Sequence, residues 1–330
     1  MISRRRLVFA LSLCPLAAPF AALAQQSEKV RRVGFLYFGS RRSAMESGRH
    51  DAFLGGMRDL GYAEGRDYVV ESRFADGVAE RLPSLVAELM RWNPEIIVAT
   101  GTPVYAQLKR SASLTPVVIT VTADPVLDGF AASLARPGGK FTGLSTGNVE
   151  LYPKQIELMK AAVPKLSHVA VLWTGDNPGH VARLEAMLAV ARKAGLRALA
   201  VEAQSPDAIE RGFSRISRER AQAVVILNDT FFVQQFGQIA ALALKHRLPS
   251  LYGAVEYAKA GGFMGYGQNV VDNFRRAATF VDKILKGAKP GELPFEQPMR
   301  LQLAINRRTA KAIGLALPRE LLLRADKVIE

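Results

Sequence analysis

Ile96-Ile97-Val98-Ala99-Thr100-Gly101-Thr102-Pro103 is the stretch on which the fold turns. A short run rich in β-branched residues reads as a buried strand of the kind found in parallel sheets covered by helices. A helix starts directly after it. Thr102 can cap that helix, Pro103 suits its first turn, and Gly101 leaves the backbone open, so free N–H groups would face whatever lies beyond the strand. Strand leading into helix is the first half of a βαβ unit.

Working outward, the same pattern recurs along the chain. Val33-Gly34-Phe35-Leu36-Tyr37, Tyr68-Val69-Val70-Glu71-Ser72 and Val117-Val118-Ile119-Thr120-Val121 read as further strands, with helices over 51–60, over 79–91 and from near Pro103. A second pass begins at Val169-Ala170-Val171-Leu172-Trp173. It continues with helices over 181–194, 206–219 and 233–246 and strands at 197–202, Val224-Val225-Ile226-Leu227 and 249–253. Val33 and Val169, Ile96 and Val224, Val117 and Ser250 start matching strands. The period is too long for a solenoid, so the economical reading is a duplicated doubly wound lobe. Thr142-Gly143 to Gly147 would carry the chain into the second lobe. A strand at Gly262-Phe263-Met264-Gly265-Tyr266 and a helix over 271–286 would return it to the first, and Leu301 to Ile305 would cross once more. The expected fold is α/β, two doubly wound Rossmann-like lobes joined by a multi-strand hinge. Lobe one covers 29–143 plus 263–299, and lobe two covers 144–262 plus 300–330.

Composition bounds the function. The 330 residues carry a formal charge of +14, but the basic residues are spread along the whole chain, so no nucleic-acid partner is expected. Part of the charge sits in the first 24 residues: Arg4-Arg5-Arg6, an apolar stretch from Leu7 to Phe20, and the small-x-small pattern Ala22-Leu23-Ala24. These are the parts of a cleaved signal peptide over residues 1–24, which points to a periplasmic protein. Cys14 follows the bulky Leu13 where lipoprotein signals carry a small residue, so a lipid anchor there is not expected. Ser3-Arg4-Arg5-Arg6-Leu7 also resembles a twin-arginine signal, and the export route stays open. Cys14 is the chain's one cysteine, so cleavage after Ala24 leaves neither a disulfide nor a thiol nucleophile.

In open parallel sheets ligands bind beyond the carboxyl ends of the strands. The candidate ligand residues are therefore Tyr37, Phe38 and Ser40; Thr100, Gly101 and Thr102; Thr122 and Asp124; and in lobe two Thr174, Asp176, Asn177, Asn228, Asp229, Tyr252 and Glu256. Thr102 and Gly101 suit a carboxylate. Asp124, Asp229 and Glu256 suit an ammonium group. Tyr37, Phe38, Trp173, Phe231 and Tyr252 offer ring surfaces for an apolar side chain.

Several motifs resemble one family. They are Thr115-Pro116-Val117 through Asp124-Pro125, Ser133-Leu134-Ala135-Arg136-Pro137-Gly138-Gly139 with Thr142-Gly143, Arg275-Arg276-Ala277-Ala278, Asp282 through Pro290, Leu293-Pro294, Glu296-Gln297-Pro298 and Leu321 through Asp326. Across nearly all of the mature chain it resembles bacterial substrate-binding proteins of ABC transporters, including members that bind tryptophan or phenylalanine. The resemblance implies the type I periplasmic-binding-protein (Venus-flytrap) fold and the transport role, with an ABC permease in the inner membrane as partner; the ligand does not carry over. The strand-end residues point to an amino-acid-like solute, and the binding protein is expected to be a monomer. The resemblance also puts Thr100-Gly101-Thr102, Asp124 and the loop after Trp173 in the cleft. Many relatives have an Asp-Pro pair where this chain has Asn228-Asp229-Thr230.

Enzyme readings find little support. Tyr105-Ala106-Gln107-Leu108-Lys109 matches the Tyr-x-x-x-Lys dyad of short-chain dehydrogenases, but the turn after the first strand, Tyr37-Phe38-Gly39-Ser40, lacks the glycines a dinucleotide needs. There is no phosphate-binding loop or nucleophile elbow, and His50, His168, His180 and His246 show no ligand spacing, so neither a cofactor nor a metal is expected. The alternative function is an exported ligand-sensing module that docks on a signalling partner.

Overall fold

Every strand of the first lobe ends at the same edge of its sheet, which sets where a ligand can approach. A computed structural model describes residues 30–175, 179–297 and 300–330. In chain order, β1 (Arg31–Tyr37), α1 (Arg41–Glu46), α2 (Arg49–Asp59), β2 (Tyr68–Phe74), α3 (Leu82–Arg91), β3 (Ile96–Thr100), α4 (Thr102–Arg110), β4 (Val117–Thr122) and β5 (Phe141–Ser145) form lobe one. Next come α5 (Asn148–Ala162), β6 (His168–Trp173), α6 (His180–Lys193), β7 (Arg197–Glu202), α7 (Pro206–Arg218), β8 (Ala223–Ile226), α8 (Thr230–Gln234), α9 (Phe236–Lys245), β9 (Ser250–Ala254), α10 (Glu256–Lys259) and β10 (Met264–Gln268). The chain finishes with α11 (Val270–Leu285), β11 (Leu301–Asn306), α12 (Arg307–Ala312), α13 (Arg319–Leu323) and β12 (Lys327–Ile329).

The elements form for local reasons. All of β3 is buried, as its unbroken apolar run requires. In α7, Ser205 caps the Ala208 N–H and Pro206 occupies the first turn. Ile209, Gly212, Phe213 and Ile216 then form one buried stripe at helical spacing.

The first sheet has strand order β2-β1-β3-β4-β5 and is parallel throughout. The second has order β12-β11-β10-β9-β8-β6-β7, with β10 and β11 antiparallel. Within it β7-β6-β8-β9-β10 repeats the order of the first sheet, which is the doubly wound order that switches direction beside its first strand. Each lobe has a hydrophobic cluster on both faces of its sheet, giving an α/β/α sandwich.

Three expectations shift. The strand predicted to return the chain to lobe one is β10, and it stays in lobe two as the counterpart of β5. The return comes one element later: α11 packs on α2 and against β4 and β5. It fits because an ideal Cβ on Gly56 would lie 2.2 Å from Arg275 O, so only glycine lets the two helices approach this closely. The first crossing likewise follows Ser145, since Gly143 and Ser145 belong to β5. Finally, α5 has no counterpart among the expected helices, because Pro153 inside it interrupts the helical pattern.

The crossings are tied together. Ser145 N donates to Glu296 O and Glu296 N to Gly143 O, both at 2.9 Å. Buried Gln268, at the end of β10, reaches Ser145 O at 3.5 Å and Thr146 O at 3.4 Å. No helix among the described residues is long and apolar enough to cross a membrane.

Candidate ligand site between the lobes

The carboxyl ends of the two sheets face each other across a cavity of about 830 Å³, counting its open mouth. Lobe one supplies Tyr37 and Phe38 at the end of β1, Thr100 as the last residue of β3 and Thr102 after it, Thr122 as the last residue of β4, and Thr146 after β5. Lobe two supplies Asn228 and Asp229 after β8, Tyr252 and Glu256 around the end of β9, Gln268 from β10, and Arg183 from α6. Nine of the residues expected from sequence thus meet around one cavity: Tyr37, Phe38, Thr100, Thr102, Thr122, Asn228, Asp229, Tyr252 and Glu256.

Gly101 stands just behind them. At φ 111° it caps α4, leaving Thr102 inside the first turn, so Thr102 is not the cap expected from its type. The left-handed backbone explains the glycine, and its tight packing reinforces it: a Cβ there would sit 2.6 Å from Phe38 Cβ.

Other expected residues serve the scaffold. Ser40 caps α1 by accepting from Ser43 N at 3.1 Å. Asp124 accepts from Val126 N at 2.9 Å and Leu127 N at 3.0 Å, closing its own turn outside the cavity wall. The Thr174 N–H donates to His180 Nδ1 at 3.2 Å. Trp173 packs on one lobe-two cluster and Phe231 on the other. Asp176 and Asn177 lie outside the described residues. In the Tyr-x-x-x-Lys pattern, Tyr105 is fully buried with its hydroxyl donating to Val121 O at 2.6 Å, while Lys109 Nζ reaches Gly129 O at 2.7 Å. Burial pushes the Tyr105 phenol well above its ordinary value, and the two side chains do not form a dyad.

The polar wall is built from short local networks. Thr100 and Thr120 share a hydroxyl hydrogen bond of 2.7 Å, and Thr120 passes it on to Ala99 O. Asn228 clamps Gly253, accepting from its N–H at 3.0 Å, and so ties β8 to β9. Asp229 caps α8 through Phe231 N at 2.8 Å, and its own N–H donates to the Tyr252 hydroxyl at 3.2 Å. The Phe236 and Tyr252 rings meet edge to face at 4.7 Å beside it.

His180 is fully buried behind this wall. Its Nδ1 accepts from Thr174 N, so Nε2 carries the proton and donates to Asn228 O at 3.0 Å. Burial holds the imidazole below its usual value, although Asp229 at 3.6 Å pulls the other way.

Sequence reasoning missed Arg49, Thr146, Arg183 and Gln268, which also line the cavity. Arg49 Nη1 donates to the Tyr37 hydroxyl at 2.5 Å. Arg183 is ion-paired with Asp128 of lobe one, and Asp128 also accepts from Thr122 Oγ1 at 2.9 Å. A signal for Arg183 existed: it sits beside Leu184 and Met187 on the buried stripe of α6, a place where arginine stays only with a partner.

The family model described as ABC transporter substrate binding protein matches residues 43–329. A tyrosine-binding protein of Clostridioides difficile is 19% identical over 263 residues, covering 80% of this chain and 75% of that protein. Among solved structures, a conserved domain protein of Vibrio cholerae matches with TM-score 0.83 at 23% identity, covering 91% of this chain and all (100%) of that one. An ABC domain from Streptococcus pneumonia in complex with L-Trp matches with TM-score 0.82 at 21% identity, with the same coverages of 91% and 100%. The ligand-free, open form of the Clostridium difficile substrate-binding protein CD0873 gives 0.67 at 18% identity, covering 91% of this chain and 99% of that one. At these identities the structural likenesses speak for the fold, the type I periplasmic-binding-protein fold.

Proposed function

The chain belongs to the ABC transporter substrate-binding protein family, and from that premise we propose that it captures a small amino acid with an apolar or aromatic side chain and hands it to a membrane permease for import. The observation that carries this is the interlobe cavity, in which Phe38, Phe236 and Tyr252 stand beside both cationic and anionic side chains. Rings give an apolar side chain its surface, and opposite charges on one wall suit a zwitterion. The relatives described as binding tyrosine and L-Trp favour the same ligand class. A ligand shared by both lobes binds the closed arrangement better than the open one, so binding shifts the population toward closure, and the permease reads that state. Export by the segment over residues 1–24, with a periplasmic mature chain starting at Gln25, belongs to the same proposal.

The test is a thermal-shift screen of the mature protein, unfolded and refolded to strip any bound solute, against amino acids, small carboxylates, purines and sugars. A ligand at about 100 times its Kd adds about 2.7 kcal/mol, a visible rise in Tm. A rise confined to aromatic or branched amino acids supports the reading. A flat amino-acid panel with a hit among sugars or purines overturns it.

A further inference from the structure

We propose that Arg183 receives the carboxylate of the captured amino acid, so that the buried Asp128–Arg183 pair is the part of the site that recognises the ligand's anionic end. This rests on the amino-acid reading above.

Arg183 is 1% exposed and lines the cavity. Its Nη2 donates to Asp128, but Nε and Nη1 are buried and have no hydrogen-bond partner among the described residues. The Tyr152 hydroxyl on α5, which feels the Arg183 charge, is buried and likewise has no partner among the described residues. Guanidinium N–H groups left unmatched in an interior are costly, and their planar fork is the shape that a carboxylate accepts in two parallel bonds. One fork edge serves to hold the lobes together, while donors remain for a ligand.

The rest of the charged wall fixes the ligand's direction. Around Tyr252 stand Asp229, Glu256 and Arg49, two carboxylates against one guanidinium. Glu256 Oε1 accepts from Val270 N at 3.2 Å, whereas Oε2 is buried without a partner among the described residues. The net negative charge there, with a free acceptor, suits an ammonium group. The amino acid thus lies with its carboxylate toward Arg183 and its ammonium toward Glu256. That differs from the sequence-based expectation of a carboxylate at Gly101 and Thr102.

The experiment compares L-tyrosine with L-tyrosinamide, and L-tryptophan with L-tryptophanamide, by calorimetry on the wild-type protein and on Arg183→Lys and Thr102→Val. Lysine keeps the charge paired with Asp128 but loses the fork. The wild type should prefer the acid over the amide by at least about tenfold, and Arg183→Lys should cut that ratio to about threefold or less while Thr102→Val keeps it. A ratio unchanged in Arg183→Lys, or one that collapses only in Thr102→Val, overturns the inference and leaves the amino-acid reading standing. If the wild type binds neither these acids nor any branched or other apolar amino acid of the thermal-shift panel, the amino-acid reading falls and takes the inference with it; if it binds a branched one, that acid and its amide replace the pairs above with the same expected ratios. Should Arg183→Lys not fold, the double variant D128N/R183Q, which removes both buried charges together, replaces it with the same expected collapse.

Discussion

Asp128 of lobe one and Arg183 of lobe two are ion-paired across the cleft with side chains only 2% and 1% exposed. Neither residue's own lobe completes it. The pair exists only when the lobes are closed on each other, so it couples the state of the cleft to the chemistry of its wall.

Removing one partner leaves the other charge buried and unmatched, a loss of about 3–5 kcal/mol. Arg183→Met alone should therefore destabilise the closed arrangement more than the double variant D128N/R183M does. Urea unfolding measures the stability and small-angle scattering the lobe opening. A double variant that is worse than the single one contradicts this account.

Asp124 and Glu256 should separate cleanly. Asp124→Ala removes a turn cap, so Tm should fall by the equivalent of about 0.5–2 kcal/mol with affinity for L-tyrosine unchanged within about twofold. Glu256→Gln removes an acceptor facing the ligand's ammonium, and affinity should fall by about 1.5–3 kcal/mol. Calorimetry on both variants decides. An Asp124→Ala protein that loses affinity would restore that residue to the site.

His180 makes stability depend on pH. Its folded value lies below its unfolded one, so unfolding takes up a proton, and acidification through the unfolded value of about 6.5 favours the unfolded state. Stability should be full above that pH and drop below it. His50 and His168 are lowered by burial too and act in the same direction. His180→Gln should cost about 1–3 kcal/mol at pH 7 and flatten the slope between about pH 7 and 5. An unchanged slope in chemical-denaturation curves would assign the effect to the other two histidines.

Gly56→Ala should loosen the docking of α11 on α2. The new methyl meets the Arg275 carbonyl, so one helix must move, at a cost of about 1–3 kcal/mol or more. Hydrogen exchange should rise in α11 relative to the lobe-two strands. Uniform exchange in both lobes would argue against a local effect.

The alternation of strand and helix was legible because burial imprints itself locally. A strand covered on both faces must be apolar throughout, as Ile96 to Ala99 are, and a helix with one buried face must repeat every three to four residues, as in α7. The strand-end rule likewise found Phe38, Thr102, Asn228 and Glu256, because a parallel sheet places all its carboxyl ends on one edge. The placement of β10 was not legible by the same route: an apolar strand looks alike in either sheet, and only its pairing with β9 and β11 assigns it.

From sequence alone came two α/β lobes, their repeat, and the loops that face the cleft. Which of those loop residues face the cavity was settled by tertiary structure. Asp124 and Asp229 both follow strands, yet Asp124 turns back onto its own backbone and Asp229 stands on the cavity wall. Arg183 and Arg49 lie on helices, outside any strand-end rule, and enter the cavity wall because the lobes meet. The physical reason is range: backbone periodicity and burial are written within a few residues. Pairing a charge on α6 with one in the loop after β4 depends on how two separately folded sheets face each other, which no local stretch of chain encodes.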